Sequence, residues 1–433
     1  MSLFGALNTS ISGLTAQSGA FSNISDNVAN SQTVGYKQVD TSFTDYLTTS
    51  TATVNESGSV VALPAYANNV QGAITQSTDT TALAISGQGF FAISEQNGTV
   101  NGQPTFSPQQ DYTRTGDFQM DTNGYLVNSA GGFLNGWTVN PATGVANQNS
   151  MAPIQVTQTS FSPVSTTQVR LAANLPATPA ASTPISSQID VYDALGTMHT
   201  VSLNWTQNSA GDWTVAVNSP DDTSGIPAVG TADVTFGTNG MAPGTIGNVG
   251  TATGSVTTPG YSAGGAATLS FVTNFGSAPQ TIQLNLGTYG QTNGVTQYAG
   301  TAYTLGSLTQ NGVPPGGFAS VTMQTNGNVV VNYNNGQSRT IAQVPIINFN
   351  DPNALQSQNG QSYTATQASG TPTANPANTN GAGTLVTSSV EGSNVDIATE
   401  FSKLIVAQQA YSANAKMVTT ANQMLQTTID MKQ

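Results

Sequence analysis

Apolar side chains recur at alternating steps of three and four at both ends of the chain, and at steps of two over much of what lies between. At the front the series runs Phe4, Leu7, Ile11, Leu14, Ser18, Phe21, Ser25 and Val28. At the back it runs Ile397, Phe401, Leu404, Gln408, Tyr411, Ala415, Val418, Asn422, Leu425 and Ile429. Steps of three and four place side chains on one stripe of a helix, with the narrow spacing of a coiled-coil seam. A terminal helix folded onto its own domain would also show one such stripe. Residues 1–25, however, carry no charged side chain, whereas a solvated helix carries charges on its outer face. Ser, Thr, Asn, Gln and Gly in their place suit a crowded interior in which every face touches another helix. The apolar members of both stripes are therefore the candidate assembly residues: Phe4, Leu7, Ile11, Leu14, Phe21 and Val28 in the first helix, and Ile397, Phe401, Leu404, Tyr411, Val418, Leu425 and Ile429 in the last.

The first helix should stop near Asn30, where Asn30, Ser31, Gln32 and Gly35 supply turn chemistry. Residues 31–70 are mixed and rich in Ser and Thr, with Phe43, Tyr46 and Leu47 as their strong apolar cluster, and read as a connector, as do residues 370–393. From Leu83 the period becomes two: Leu83 and Ile85, then Phe91 and Ile93 after Gly87-Gln88-Gly89. Phe118 and Met120 lead through Asp121-Thr122-Asn123-Gly124 into Tyr125 and Val127, a hairpin signal. The clearest meander is Ile189 and Val191, then Val201, Leu203 and Trp205, then Trp213, Val215 and Val217. Leu269, Phe271, Ile282, Leu284 and Leu286 add strands, so this region reads as a sandwich or open barrel. Residues 221–265 are rich in Gly, Thr and Ala and read as long surface loops. After Pro314-Pro315-Gly316-Gly317 strands resume, with turns at Asn326-Gly327 and Asn335-Gly336.

The expected fold is thus multidomain: terminal α-helices (1–30 and 394–433) forming a coiled-coil-like core domain, plus two mainly β domains. The inner β domain would be discontinuous (71–164 and 316–369), with an outer β domain (165–315) inserted in it. Chain ends tend to lie close together, which would set the two helices side by side.

Composition narrows the function. Of 433 residues only 6% are charged, and the net charge is -13, so nucleic acid and anionic membranes are not expected partners. No Lys or Arg lies between Arg170 and Arg339, while Asp190, Asp193, Asp212, Asp221, Asp222 and Asp233 make that stretch a mutually repelling surface. Cysteine is absent, so neither a disulfide framework nor a thiolate metal site is available. The first residues show no basic n-region and no continuous apolar h-region, unlike a cleavable secretory signal. No run of about 18 apolar residues would insert in a membrane.

Candidate chemistry is sparse. His199 is the single histidine, with no His or Cys partner nearby in sequence, and reads as a surface residue. Asp221-Asp222 are adjacent, so their carboxylates point apart rather than forming a catalytic pair. Asp121-Thr122-Asn123-Gly124 begins like a calcium loop, but the twelfth position is Gly132 rather than Glu, which favours a β-turn. Gly264-Gly265 lacks the lysine of a phosphate loop. No enzyme, cofactor or metal is expected.

Motif content then gives a resemblance. Ser12-Gly13-Leu14, Asn23, Ser25, Asn27, Ala29-Asn30, Thr33 and Gly35-Tyr36-Lys37 resemble the N-terminal signature of bacterial flagellar rod and hook proteins. Glu391, Ser393-Asn394-Val395-Asp396, Val406-Ala407-Gln408, Ala410-Tyr411, Asn414-Ala415-Lys416 and Met424-Leu425 are similar to the matching C-terminal end. Ala84-Ile85-Ser86-Gly87-Gln88-Gly89-Phe90-Phe91 and Tyr112-Thr113-Arg114-Thr115-Gly116-Asp117-Phe118 look like the shared β segments. The resemblance covers about residues 1–135 and 320–433; the motif residues carried over are Asn27, Asn30, Gly35, Tyr36, Lys37, Ser393, Asn394, Val395, Asp396 and Gln408. Tyr36 stands where Phe is common, and Gln409 where Arg is common. Short rod members lack so large an outer insertion, so the chain most resembles the hook members.

The resemblance implies an extracellular homopolymer, exported through the flagellar export apparatus without a cleaved signal peptide. It implies a curved tube acting as a universal joint between rod and filament, around an export channel. Implied partners are further copies of the chain, the distal rod, the hook-filament junction proteins and the hook cap during assembly. The alternatives are a distal rod or hook-associated junction protein, which shares the terminal motifs, and a non-flagellar surface adhesin. An adhesin would explain the acidity and β content but not the matched uncharged helices.

Overall fold

The structure, a computed structural model, describes residues 3–50, 55–141, 143–179, 184–224 and 228–431. It is mainly β, with one long helix at each end: α1 (Leu3–Ala29) and α2 (Ile397–Asp430). Among the described residues no helix is long and apolar enough to cross a membrane. The chain forms two compact units, one of residues 1–158, 319–332 and 338–433, the other of residues 159–318 and 333–337.

In the first unit an antiparallel sheet passes through Asn328–Tyr333, Ser338–Gln343, Phe133–Val139, Phe91–Val100, Gln103–Thr113 and Ser362–Thr364. Its apolar side chains meet edge to face, Phe91 on Phe118 at 5.6 Å and Phe90 on Tyr363 at 5.7 Å between ring centroids. The hairpin signal at Asn123-Gly124 forms: Gln119 pairs with Val127, and Gly124 takes φ +85°. The Asp121 carboxylate accepts from the amides of Asn123 and Tyr125 at 2.9 and 2.7 Å, so it closes the turn. Two short pairings position the ends of the chain. Ile74–Gln76 pairs with Ser389–Glu391, and Leu83–Ser86 with Thr384–Thr387. They bring the entry to α2 beside the exit from α1.

Within the stretch read from sequence as connector, β1 (Val39–Ser50) and β2 (Asn55–Tyr66) pair antiparallel from Val39↔Tyr66. The pair packs along α1: the Val60 amide donates to Ser12 Oγ at 3.1 Å, and Asn23 donates to Thr41 Oγ1 at 2.9 Å. An isolated two-stranded ribbon is marginal in water, and α1 supplies the surface that it lacks.

The second unit contains a five-stranded antiparallel meander, Ile185–Tyr192, Met198–Ser209, Asp212–Asn218, Ala228–Phe236 and Ile246–Ala252. A second sheet holds Gln168–Pro176, Ala266–Asn274 and Pro279–Thr288. Both contribute to one apolar cluster around Trp205, Trp213, Leu269, Phe271 and Leu284, each worth about 1.5–3 kcal/mol when buried. The reading of residues 221–265 as long loops is corrected here. Ala228–Phe236 and Ile246–Ala252 are strands, with Val229, Ala232, Val234, Phe236, Ile246 and Val249 in the core. Their buried positions hold mostly small side chains among Gly and Thr, and register shifts interrupt the alternation, so bulk composition conceals the strands.

Candidate assembly face and the polar knot beneath it

Three of the chain's seven Lys and Arg residues gather where α1, α2 and the β body of the first unit meet. Glu391 ends a strand and is fully buried. Lys37 Nζ lies 2.5 Å from its Oε1, Arg114 Nη1 lies 2.9 Å from its Oε2, and the Gly72 amide donates to Oε1 at 2.8 Å. Lys37 also donates to the Val70 carbonyl at 2.7 Å, and Arg114 to those of Ile85 and Gly87 at 3.1 and 2.6 Å. Burial lowers both cations from their ordinary pKa values, against the opposing pull of Glu391. Buried ions persist when bonded in this way, and only Arg114 Nε among these charged groups is buried without a partner among the described residues.

A second carboxylate, Glu400 in the first turn of α2, is also fully buried. It accepts from Asn27 Nδ2 at 2.9 Å, Gln38 Nε2 at 2.9 Å and Lys403 Nζ at 2.8 Å, and Lys403 also pairs with Asp40. Asn27 uses all of its capacity: Nδ2 also donates to the Val39 carbonyl at 3.0 Å, and Oδ1 accepts from the Val39 amide at 3.0 Å and Tyr36 Oη at 3.1 Å. Only a side-chain amide can both donate twice and accept twice here. The Tyr36 phenol, pushed up to about 12 by burial and by the charges of Asp26 and Glu400, stays protonated as the donor. The departure from Phe at this position thus adds a bond to Asn27.

The motif residues divide cleanly. Asn27, Tyr36, Lys37 and Asn394 enter the knot; Asn394 Oδ1 accepts from the Gln38 amide at 2.7 Å, and its Nδ2 donates to the Ala67 and Val70 carbonyls at 3.2 Å. Gly35 takes φ +71°, and a Cβ there would stand 2.6 Å from the Thr115 backbone nitrogen, so only glycine fits. Asn30 closes the end of α1 by donating to the Asp26 carbonyl at 2.9 Å. Asp396 caps α2 by accepting from the Thr399 amide at 2.9 Å, the bond that lowers its pKa. Ser393 accepts from the Val395 amide at 3.3 Å, while Val395 stays half-buried and Gln408 and Gln409 face outward. Sequence reasoning did not place Gln38, Asp40, Glu391, Glu400, Lys403 or Arg114 among the site residues. Scarcity was the available signal, since the chain has four Glu and two of them are here.

Above the knot the helices run antiparallel, with Asn27 against Glu400, Phe21 ringed edge to face with Tyr411 at 6.2 Å, and Gly13 against Asn414. The buried helix positions are Ser10, Ala16, Ala20, Ile24 and Asn27 on α1, and Glu400, Ala407 and Ala421 on α2. Leu7, Leu14, Phe21, Val28, Leu404, Val418 and Leu425 are half-buried, whereas Phe4, Ile11, Ile397, Phe401, Tyr411 and Ile429 are exposed. Apart from Ile24, the fully buried helix positions are small or polar, Phe21 meets Tyr411 across the pair, and much of each apolar stripe faces outward. A largely apolar groove of about 600 Å³ adjoins it, lined by Ala20, Ile24, Phe43, Val406 and Ala407.

Comparison with known proteins accounts for the whole chain. Residues 7–37 match the flagella basal body rod protein family, 84–171 the D1 domain of flagellar hook protein FlgE/F/G, 159–313 the D2 domain of flagellar basal body protein FlaE, and 386–431 the C-terminal region of flagellar basal body rod FlgEFG proteins. All four are descriptions of flagellar rod and hook proteins. The flagellar hook protein FlgE of Brucella suis is 30% identical over 100% of both chains, and that of Salmonella typhimurium 29% identical over 99% of this chain and 100% of its own. The Helicobacter pylori flagellar hook protein FlgE2 structure is similar at a TM-score of 0.46 and 14% identity, covering 72% of this chain and 98% of that one. The chain belongs to the flagellar hook protein FlgE family.

Proposed function

We infer that the chain is a structural, non-catalytic subunit of a bacterial flagellar hook. It assembles with its own copies into a curved tube that carries torque from rod to filament and surrounds an export channel. Similarity to hook proteins over the full length, at 30% identity, supports the identity of the assembly. The observation that carries the mechanism is the outward apolar surface of the helix pair: Phe401 is 52% exposed, Val406 65% and Ile429 61%. Monomers rarely leave such large contiguous patches uncovered. Apart from the Phe21–Tyr411 contact, the exposed large apolar side chains of both helices remain available to other copies. In this reading both stripes form a coiled-coil-like inner core, the β body surrounds it, and the acidic residues 165–315 form an outer domain inserted in the inner one. Polar, weakly contacting outer surfaces would let one side of a bent, rotating tube shorten while the other lengthens.

The same reading places the protein outside the cell, exported uncleaved, between distal rod and junction proteins and beneath a hook cap as it grows. Electron microscopy tests it. The purified chain should polymerise into curved tubes, and a strain lacking it should have basal bodies without hooks. Hooks of normal form in the deletion strain would overturn the reading.

A further inference from the structure

Asp26 is the one charged residue of α1, and Lys416 is the one charge on α2 between Lys403 and Asp430. Both are exposed, and neither side chain makes a hydrogen bond or ion pair among the described residues. Glu400 and Lys403, the other charges near the base of α2, satisfy each other. Apart from Lys403, which is paired, and Asp430 at the far end of α2, these two opposite charges stand on helices whose surface is otherwise apolar or neutral. If those surfaces are covered by further copies, as the assembly reading requires, each charge must find a partner, because an unpaired buried ion is costly.

They cannot partner each other within one chain. Asn27 bonds Glu400, so Asp26 lies level with the start of α2, and Lys416 is 16 residues farther along (416 − 400). At 1.5 Å per residue that is about 24 Å, far beyond the reach of a lysine. A neighbouring copy displaced by about 24 Å along the helix axis would bring the two level.

A receptor for the ammonium is already formed. Asp26 rims a polar cavity of about 440 Å³ lined also by Asn30, Tyr36, Tyr66, Asn359 and Tyr363. A carboxylate at the rim, with side-chain amides and tyrosines in the lining, is a chemistry that suits a cation. Lys37 borders the same cavity, but its ammonium is held by Glu391 and the Val70 carbonyl. Of the other cations, Arg339 is also unpaired among the described residues but sits on a strand of the β body rather than on a helix.

We propose that Lys416 of one copy docks on Asp26 of the next, and that this pair sets the axial stagger between neighbouring subunits. The interface is heterologous, α2 of one copy against the α1 end of another, so it propagates instead of closing a dimer.

Wild-type tubes treated with a zero-length carbodiimide, which joins a carboxylate to an amine in contact, test the pairing directly. Tubes grown from mixed isotope-labelled and unlabelled chains should yield an Asp26–Lys416 crosslink that joins labelled to unlabelled peptide and is absent from monomer. Tubes lacking that link, or linking Asp26 to no lysine while Lys416 joins another carboxylate, would overturn the pairing and leave the assembly reading intact. Failure to form tubes at all would instead remove the assembly reading, and the pairing with it. As a second measurement, Asp26→Lys and Lys416→Asp should each raise the critical concentration for polymerisation by about a hundredfold or more, the scale of breaking a covered ion pair. The double exchange should return it to the wild-type value, and no such rescue would count against the pair.

Discussion

Glu391 holds two buried cations, and its removal cannot be neutral. Glu391→Gln keeps the shape but leaves Lys37 and Arg114 facing an uncharged amide. Breaking a buried pair on one side costs about 3–5 kcal/mol, so urea unfolding at pH 7 should show a loss of that order. Burial already lowers Lys37. In the variant the folded state should release that proton while the unfolded state keeps it, so part of the loss should return as pH rises. Asp111 makes the opposite case. Its Oδ1 is buried without a partner, and burial, then the charge of Glu95, pushes its carboxyl up to about 6. An unfolded aspartate titrates near 3.9. The folded state therefore holds the proton between about pH 4 and 6, and stability from this group falls as pH rises through that window. Asp111→Asn should be about 1–2 kcal/mol more stable than wild type at pH 7, from a shift of about two units, and no more stable at pH 4. Equal stabilities at pH 7 would refute the assignment. Neither role was legible in sequence, because a lone charge in a strand shows nothing of whether its neighbours are carbonyls or water.

At the scale of elements, periodicity identified both terminal helices and the end of α1 near Asn30. It did not identify the face by which they meet. A seam of Phe, Leu and Ile is conspicuous, whereas contacts through Ser10, Ala16, Ala20, Ala407 and Ala421 look like neutral filler. The same concealment hid the strands at Ala228–Phe236 and Ile246–Ala252, and the pairing of β2 with β1, which is half Ser and Thr. Close approach makes Gly13 a sensitive position. A Cβ there would lie 2.9 Å from Asn414 Nδ2, the far end of a flexible side chain. Gly13→Ala should therefore be tolerated, because Asn414 can turn away and alanine favours helix by about 1 kcal/mol. Gly13→Leu cannot be accommodated by one rotamer change and should part the helices. Hydrogen exchange would report this as lost protection in α2 beyond Tyr411, with the knot at Asn27 and Glu400 still protected. Equal protection in both variants would mean that the helices do not rely on this approach.

For the whole molecule, the sequence motifs lie in the first unit and the strand meander in the second, so the division of labour was legible even where single strands were not. The second unit has its own core around Trp205 and Trp213, and its main stretch, 159–318, enters and leaves at one place. The Phe161 amide donates to the Gly316 carbonyl at 2.7 Å, and Val164 pairs with Val313. Removing residues 165–315 therefore asks the chain to bridge only the gap of a paired ladder, about 5 Å, which a two-residue turn spans. None of the knot residues and none of the helix positions lies within the deleted stretch. The shortened chain should retain the unfolding transition of the first unit and should still polymerise into tubes, with altered curvature or stiffness because the acidic 165–315 stretch is gone. Deleting residues 397–431 instead should leave the second unit folded and abolish polymerisation. A shortened chain that keeps a folded first unit yet forms no tubes would show that the middle of the sequence, rather than its ends, drives assembly.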